Sequence, residues 1–171
     1  MHSKNLLLAT VLLAFTNAAS GEDLKIDTGT DFSHAILETG RVTSSFGVRQ
    51  DPFRRVPNWH SGVDLGAGWD EPIYAPGDGK VVFAGRKSGY GNVVELAFET
   101  DWVLRFSSLK DISVEQDDLV TGGTVLGRMG TTAPRSTGPH LHLEVIKGRK
   151  QIDPSAILDL EFFAKPAPKS G

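Results

Sequence analysis

The sequence of 171 residues contains no cysteine, and this absence excludes both a disulfide framework and a lipid anchor attached to cysteine. It also lacks an excess of basic residues. Eighteen Lys and Arg stand against 21 Asp and Glu, a formal net charge of −3, so the composition gives no basic footprint that would argue for nucleic acid. We therefore expect no nucleic-acid partner, and a stability that comes from packing or from a bound ion.

Long apolar segments are also missing, since the run from Leu6 to Phe15 is too short to span a bilayer as a helix. Lys4 precedes this run, and small residues at 17–20 follow it. The pattern is that of a secretory signal peptide, and a buried core helix is the alternative. We expect residues 1–20 to be removed, and the mature protein, without a membrane span, to be periplasmic or secreted.

No segment between residues 40 and 150 has a sustained helical period. Short runs rich in Val, Ile, Leu and Phe alternate instead with Gly- and Pro-containing turns. The runs predict strands over 80–84, 92–98, 102–106, 124–127 and 140–146. This spacing predicts an all-β sandwich or barrel, with one short helix over 153–158 whose first turn contains Pro154.

The chain is long enough for one domain with its own core, which we place at residues 40–160. The polar, weakly patterned residues 21–39 are expected to lead into it. Residues 161–171 have the composition of a disordered tail.

Two of the five histidines, His140 and His142, are separated only by Leu141. On a strand their side chains lie on one face, and Leu141 points to the other side, into the core. Two imidazoles side by side suit a metal ion. The pair alone is weak support for a metal site, because histidines are common on protein surfaces.

A second pattern strengthens the metal hypothesis, because His60 and Asp64 lie four residues apart and share a face if the segment is extended. For this pair alone, a solvated loop would be the favoured interpretation. Together with one histidine of the His140–His142 pair it provides two imidazoles and one carboxylate, the ligand set of a catalytic zinc ion with one open position. The other histidine could take the proton of a zinc-activated water.

Over roughly residues 40–158 the sequence resembles the lysostaphin-type (LytM-like) zinc metallopeptidases, which cut peptidoglycan peptides. The resemblance rests on several ordered motifs: TSSFGVR (43–49), HSGVDLGA (60–67), EPIYAPGDG (71–79), GYGNVVEL (89–96), STGPHLHLEV (136–145) and IDP (152–154). It implies a compact, mostly antiparallel β domain with an open groove, of the duplicated-hybrid-motif type. It further implies one zinc ion bound by His60, Asp64 and His142, with His140 as the general base.

One position departs from the family pattern. Members with peptidase activity usually carry a further histidine in a Tyr-x-His-Leu motif, thought to orient the water or stabilise the oxyanion. Here the corresponding stretch is Phe106-Ser107-Ser108-Leu109, so Ser108 occupies the histidine position of the catalytic set. Loss of an oxyanion donor typically lowers turnover by about 100- to 1000-fold. Alternatively, Ser108 is a tolerated variation, and another group takes the role of the missing histidine.

These observations predict an exported, monomeric zinc metalloendopeptidase that hydrolyses peptide cross-links of bacterial peptidoglycan. Ser108 motivates an alternative: a zinc-binding domain with little or no activity that binds peptidoglycan or activates another cell-wall hydrolase. A third interpretation, structural zinc beside a groove for another polymer, is disfavoured because structural zinc sites usually have four protein ligands.

Overall fold

The computed structural model describes residues 31–51, 55–98, 101–134 and 138–160. Within these ranges it has thirteen strands and one 3₁₀ helix. The strands are β1 (Arg41–Ser44), β2 (Gly47–Gln50), β3 (Pro57–His60), β4 (Val63–Gly66), β5 (Pro72–Tyr74), β6 (Gly79–Lys87), β7 (Gly91–Ala97), β8 (Trp102–Leu109), β9 (Asp111–Ile112), β10 (Leu119–Val120), β11 (Val125–Arg128), β12 (Leu141–Lys147) and β13 (Lys150–Ile152). The predicted signal peptide (1–20) and tail (161–171) lie outside the described residues.

An eight-stranded sheet forms the body of the domain, in the order β1-β4-β12-β8-β7-β6-β10 with β13 also paired to β12. A three-stranded sheet (β5-β11-β9) and the β2-β3 hairpin complete the fold. All of these pairs are antiparallel. The predicted all-β, mostly antiparallel class is confirmed.

The five strands predicted from the apolar runs are present as β6, β7, β8, β11 and β12. The predicted helix is a single 3₁₀ turn, Pro154–Ala156. Asp153 caps it, because its carboxylate accepts a hydrogen bond from the Ser155 amide at 3.0 Å.

Alternation along the central strands builds the core. Leu141 and Leu143 of β12 and Leu104 and Phe106 of β8 are fully buried. Burying each such side chain contributes about 1.5–3 kcal/mol. The lead-in contributes as well, since Ile36 and Leu37 are fully buried; two consecutive apolar residues in a polar stretch have no periodicity that would predict this.

The strands that carry the histidine motifs lie unusually close together. A Cβ atom at Gly62 would collide with the carbonyl oxygen of Leu143 on β12, so only glycine fits at this position, just before β4. This close approach brings the HSGVD segment against the HLHLE strand.

In the described part of the chain, no helix has the length and hydropathy to cross a membrane.

Candidate metal centre

Asp64 and His142 lie opposite each other on neighbouring antiparallel strands, β4 and β12. Directly paired residues project to the same side of a sheet. His60, the last residue of β3, reaches the same point from the β2-β3 hairpin. Three segments distant in sequence therefore bring their polar side chains together on one face.

The donor atoms of these three residues converge. His142 Nδ1 lies 2.9 Å from Asp64 Oδ1, His60 Nε2 lies 3.2 Å from the same oxygen, and the two nitrogens are 3.1 Å apart. In the described ranges, this is the group of His and acidic residues whose geometry could hold a metal ion. Two imidazole nitrogens and a carboxylate oxygen around one point fit zinc, with room for a further ligand.

Hydrogen bonds on the far side of each imidazole orient the two histidines. His60 donates its Nδ1–H to the Ser45 carbonyl at 2.7 Å, so the Nε2 lone pair faces the centre. His142 has the opposite arrangement: Nε2 lies 3.2 Å from Oε1 of Glu144, and Nδ1 faces the centre. Such outer partners are typical of histidines that bind metal.

The charges at the centre shift the pKa values of its members in opposite directions. Burial would raise the pKa of Asp64, but its interactions with His142 and His60 outweigh burial and hold that pKa far below its usual range. Burial would lower the pKa of His142, but its bonds to Asp64 and Glu144 raise it instead. The second oxygen of Asp64 lies 3.6 Å from the Arg49 guanidinium. Asp64 is therefore an ionised carboxylate with Oδ1 directed at the histidines.

Glu144 is a fully buried carboxylate that the sequence reasoning missed. Besides His142, it accepts hydrogen bonds from Ser61, Tyr90 and Arg105. Burial would raise its pKa, but its donors, His142 first, lower it. The available signal was its position two residues after His142, on the same strand face, as the only charged residue in an otherwise apolar stretch.

The centre lies in an open cleft of about 420 Å³ that His140 also lines. His140 Nδ1 lies 2.9 Å from the Gly138 carbonyl, an acceptor, so the proton sits on Nδ1 and the lone pair on Nε2. Other lining residues are Thr43, Ser44, Arg49, Gly89, Tyr90, Ser107, Ala133, Gly138 and Pro139. Both histidines of the pair thus face the cleft, and the intervening Leu141 is fully buried.

Ser108 is placed differently from the other predicted site residues. It is fully buried, does not line the cleft, and has a backbone φ of 70°. The register of β7 against β8 passes from Val93↔Ser107 to Asn92↔Leu109, so Ser108 is the extra residue of a β-bulge. Its hydroxyl is the one buried side-chain polar atom among the described residues that has no hydrogen-bond partner. Its neighbour Ser107 lines the cleft and donates to the His142 carbonyl at 3.0 Å.

The fold and the site together define a metallopeptidase-like domain, and sequence comparison identifies the family. The chain belongs to Peptidase family M23, whose sequence model matches residues 58–154. This confirms the relationship inferred from the motifs.

Curated relatives and solved structures support the same family assignment. The chain is 37% identical over 117 residues to the DD-carboxypeptidase/endopeptidase Mpg of Neisseria meningitidis, covering 68% of this chain and 27% of Mpg. It is 34% identical over 116 residues to the peptidoglycan DD-endopeptidase ShyB of Vibrio cholerae, covering 66% and 26%. The murein hydrolase activator NlpD of Salmonella dublin is 28% identical over 116 residues, covering 67% and 28%. A zinc-containing peptidase from Vibrio cholerae superposes with a TM-score of 0.66 at 30% identity, over 76% of this chain and 40% of that one. The chain thus spans about a quarter of the length of these curated relatives.

Proposed function

We propose that this protein is a zinc endopeptidase that hydrolyses peptide cross-links of bacterial peptidoglycan. The observation that carries the proposal is the convergence of His60 Nε2, Asp64 Oδ1 and His142 Nδ1 in a cleft that also contains His140. Relatives named as endopeptidases, one of them acting on peptidoglycan, support the reaction class and the substrate.

His60, Asp64 and His142 would hold one zinc ion in this proposal. Zinc there supplies Lewis-acid chemistry, because it polarises a carbonyl oxygen and makes water more acidic. The carboxylate of Asp64 is ionised at neutral pH, so the binding residues carry one negative charge between them. The outer hydrogen bonds of the two histidines keep the ligating nitrogens directed at one point.

His140 is the proposed general base. Donation of its Nδ1–H to the Gly138 carbonyl places the lone pair on Nε2, the nitrogen that can accept a proton. His140 would take a proton from the attacking water and deliver it to the leaving amine of the cut peptide bond. The cleft is open beside His140, so a substrate can approach this side chain. Export to the periplasm or the exterior, where peptidoglycan lies, and action as a monomer complete the proposal.

A digest of purified peptidoglycan tests this function. The zinc-loaded protein should release peptides detectable by mass spectrometry, and a chelator should abolish the release until zinc is restored. His140→Ala should remove activity, whereas His34→Ala, at an exposed position outside the cleft, should not. A zinc-loaded wild type that releases no peptide from any cross-link type would contradict the proposal.

A second function has its own supporting observation, the position of Ser108. Its hydroxyl is buried away from the cleft, so this residue offers a peptide no hydrogen bond at the position where the family resemblance expects a histidine. The relative NlpD is named as an activator of murein hydrolases. In this alternative the domain binds peptidoglycan and stimulates another hydrolase. Stimulation of a second purified hydrolase by the zinc-loaded protein, without peptide release by that protein alone, would favour it.

A further inference from the structure

The carboxylate of Glu144 is charged and lies in the interior of the domain. Glu144 is fully buried on β12, two residues after the proposed ligand His142. A buried charge is strongly unfavourable unless it is paired and hydrogen-bonded. In a core otherwise made of apolar side chains, an apolar residue here would pack without that cost.

Four donors from separate parts of the chain surround this carboxylate. Oε1 accepts hydrogen bonds from Ser61 Oγ, from the Tyr90 hydroxyl at 3.1 Å and from His142 Nε2 at 3.2 Å. Oε2 accepts from Arg105 Nη1 at 2.5 Å. Donors on both oxygens fix the carboxylate in position and orientation.

Arg105, the charged partner, is itself held in place. Its Nε donates to Glu95 at 2.5 Å, and its guanidinium stacks on the Tyr90 ring at 4.9 Å. Glu95 also accepts from Lys87 at 2.6 Å. Arg105 lies directly opposite Glu144 across the β8–β12 pair, on the same face as His142 and Ser107. The chain of contacts therefore runs from Lys87 through Glu95, Arg105 and Glu144 to His142.

The chain ends at the nitrogen of His142 that faces away from the metal centre. A carboxylate oxygen accepts but does not donate, so Nε2 must carry the proton there. Nδ1 lies 2.9 Å from Asp64 Oδ1, a contact that a proton on Nδ1 satisfies when no metal is bound. With a metal ion in place of that proton, Nδ1 supplies its lone pair and Nε2 keeps its proton toward Glu144. The opposite tautomer would set an unprotonated nitrogen against the carboxylate of Glu144.

We infer that Glu144 is a positioning residue that selects the metal-facing tautomer and ring orientation of His142, and that Arg105 acts on the same ligand by clamping Glu144. The inference rests on the proposed function in one respect, that His142 binds zinc. Neither Glu144 nor Arg105 is one of the three converging residues or lines the cleft. Both act through His142.

Zinc affinity, measured by competition with a chromophoric chelator, tests the inference without any turnover. Glu144→Gln and Arg105→Met should each weaken zinc binding by about 10- to 100-fold, the range typical of lost outer-shell partners. Arg105→Lys retains the charge but not the fork of N–H groups, so its affinity should lie between those of Arg105→Met and wild type. The matched control is Lys80→Met, which removes a cation from an exposed ion pair with Asp117, outside this chain of contacts, and should leave zinc affinity unchanged.

A spectroscopic measurement distinguishes positioning from stability. The visible absorption bands of the cobalt(II)-substituted protein should shift in Glu144→Gln and Arg105→Met but not in Lys80→Met. Thermal unfolding of the metal-free proteins reports the structural contribution separately. Should Glu144→Gln fail to fold, the Arg105→Met and Arg105→Lys pair decides the question.

Unchanged zinc affinity and cobalt spectra in folded Arg105→Met and Glu144→Gln would overturn the inference, even if both proteins unfold at lower temperature. Zinc affinities that change as expected, in a wild type that digests no peptidoglycan, would support the positioning role and contradict the proposed peptidase. A wild type that does not bind zinc would contradict both.

Discussion

Asp64 and His142 face each other across β4 and β12, with the carboxylate oxygen Oδ1 2.9 Å from the imidazole Nδ1. The two residues are 78 positions apart in sequence. Each is held from behind, Asp64 by Arg49 at 3.6 Å and His142 by Glu144 at 3.2 Å. Both side chains are therefore held from two sides.

Asp64→Asn should reduce zinc affinity by more than about 100-fold. That value is the upper end of the range for losing a hydrogen-bond partner of a metal ligand, and Asp64 is itself a proposed ligand. The amide keeps the shape of the side chain but removes the negative charge that faces the two histidines. Chelator competition measures the change. Asp70→Asn is the matched control, because that exposed carboxylate pairs with Lys110 away from the centre. An Asp64→Asn protein with wild-type zinc affinity would remove Asp64 from the ligand set.

His140→Gln should lower kcat for peptide release by about 100- to 10,000-fold, the usual contribution of general acid–base catalysis. Zinc affinity should not change, because His140 is not one of the three converging residues. Parallel measurements of turnover and zinc content check both halves of the prediction. Loss of zinc from the His140→Gln protein would instead make His140 a ligand.

Ser108→His should raise peptide release at least 10-fold if an imidazole at this position reaches the cleft, given that one oxyanion donor contributes about 100- to 1000-fold. The same change should lower stability by about 1–3 kcal/mol, because a larger side chain enters a fully buried position. Ser108→Leu is the control of similar size, and it should lose stability without gaining activity. Equal activity in wild type and in a folded Ser108→His protein would show that the serine does not limit the site.

Acid should destabilise the protein in part through Glu95. Burial would raise the pKa of Glu95, but its bonds to Lys87 and Arg105 lower it below the usual 4.5. Between the folded-state pKa and about pH 4.5, the unfolded chain therefore binds more protons than the folded chain. The stabilisation by Glu95 is present above about pH 4.5 and is lost as pH falls through the folded-state pKa. Glu95→Gln should lower the free energy of unfolding at pH 7 by about 1–3 kcal/mol and flatten its decline below pH 4.5.

Urea unfolding at several pH values measures both effects of Glu95→Gln. Lys80→Met is the control, because it removes an exposed ion pair with Asp117 that contributes little. An acid transition that keeps its full slope in Glu95→Gln would exclude this carboxylate as its source.

Gly62→Ala should destabilise the protein by about 1–3 kcal/mol or more, since the added methyl group collides with the Leu143 carbonyl. The displacement would also separate β4 from β12 and weaken zinc binding. Gly68→Ala is the matched control, because a Cβ there meets only the Glu71 carboxylate at an ordinary 3.6 Å. Equal melting temperatures and zinc affinities for the two variants would contradict the close approach at Gly62.

Local pattern alone was enough to predict several features of this molecule. The five apolar runs predicted five strands that are present, because side-chain alternation depends only on neighbouring residues. The same alternation predicted a buried Leu141 between two histidines that both line the cleft. Spacing and residue type made His60 and Asp64 candidate ligands, and motif resemblance chose His142, rather than His140, as the third.

Other features depend on strand order, bulges and contacts across the sheet, which no local pattern contains. The bulge in β8 directs Ser108, which resemblance assigned to the catalytic set, towards the core. Ile36 and Leu37 enter the core from a stretch that looked like a plain lead-in. Arg105 and Glu144 meet because β8 and β12 are adjacent.

The sequence by itself determined which residues could serve as ligands and bases, since the chemistry of imidazole and carboxylate belongs to the residue type. Only the tertiary structure decided that three of them converge, because β4, β12 and the β2-β3 hairpin must pair and pack before their side chains meet. It also decided which nitrogen of each histidine faces the centre. The hydrogen bonds of His60 with the Ser45 carbonyl and of His142 with Glu144 determine this orientation, and they exist only in the folded chain.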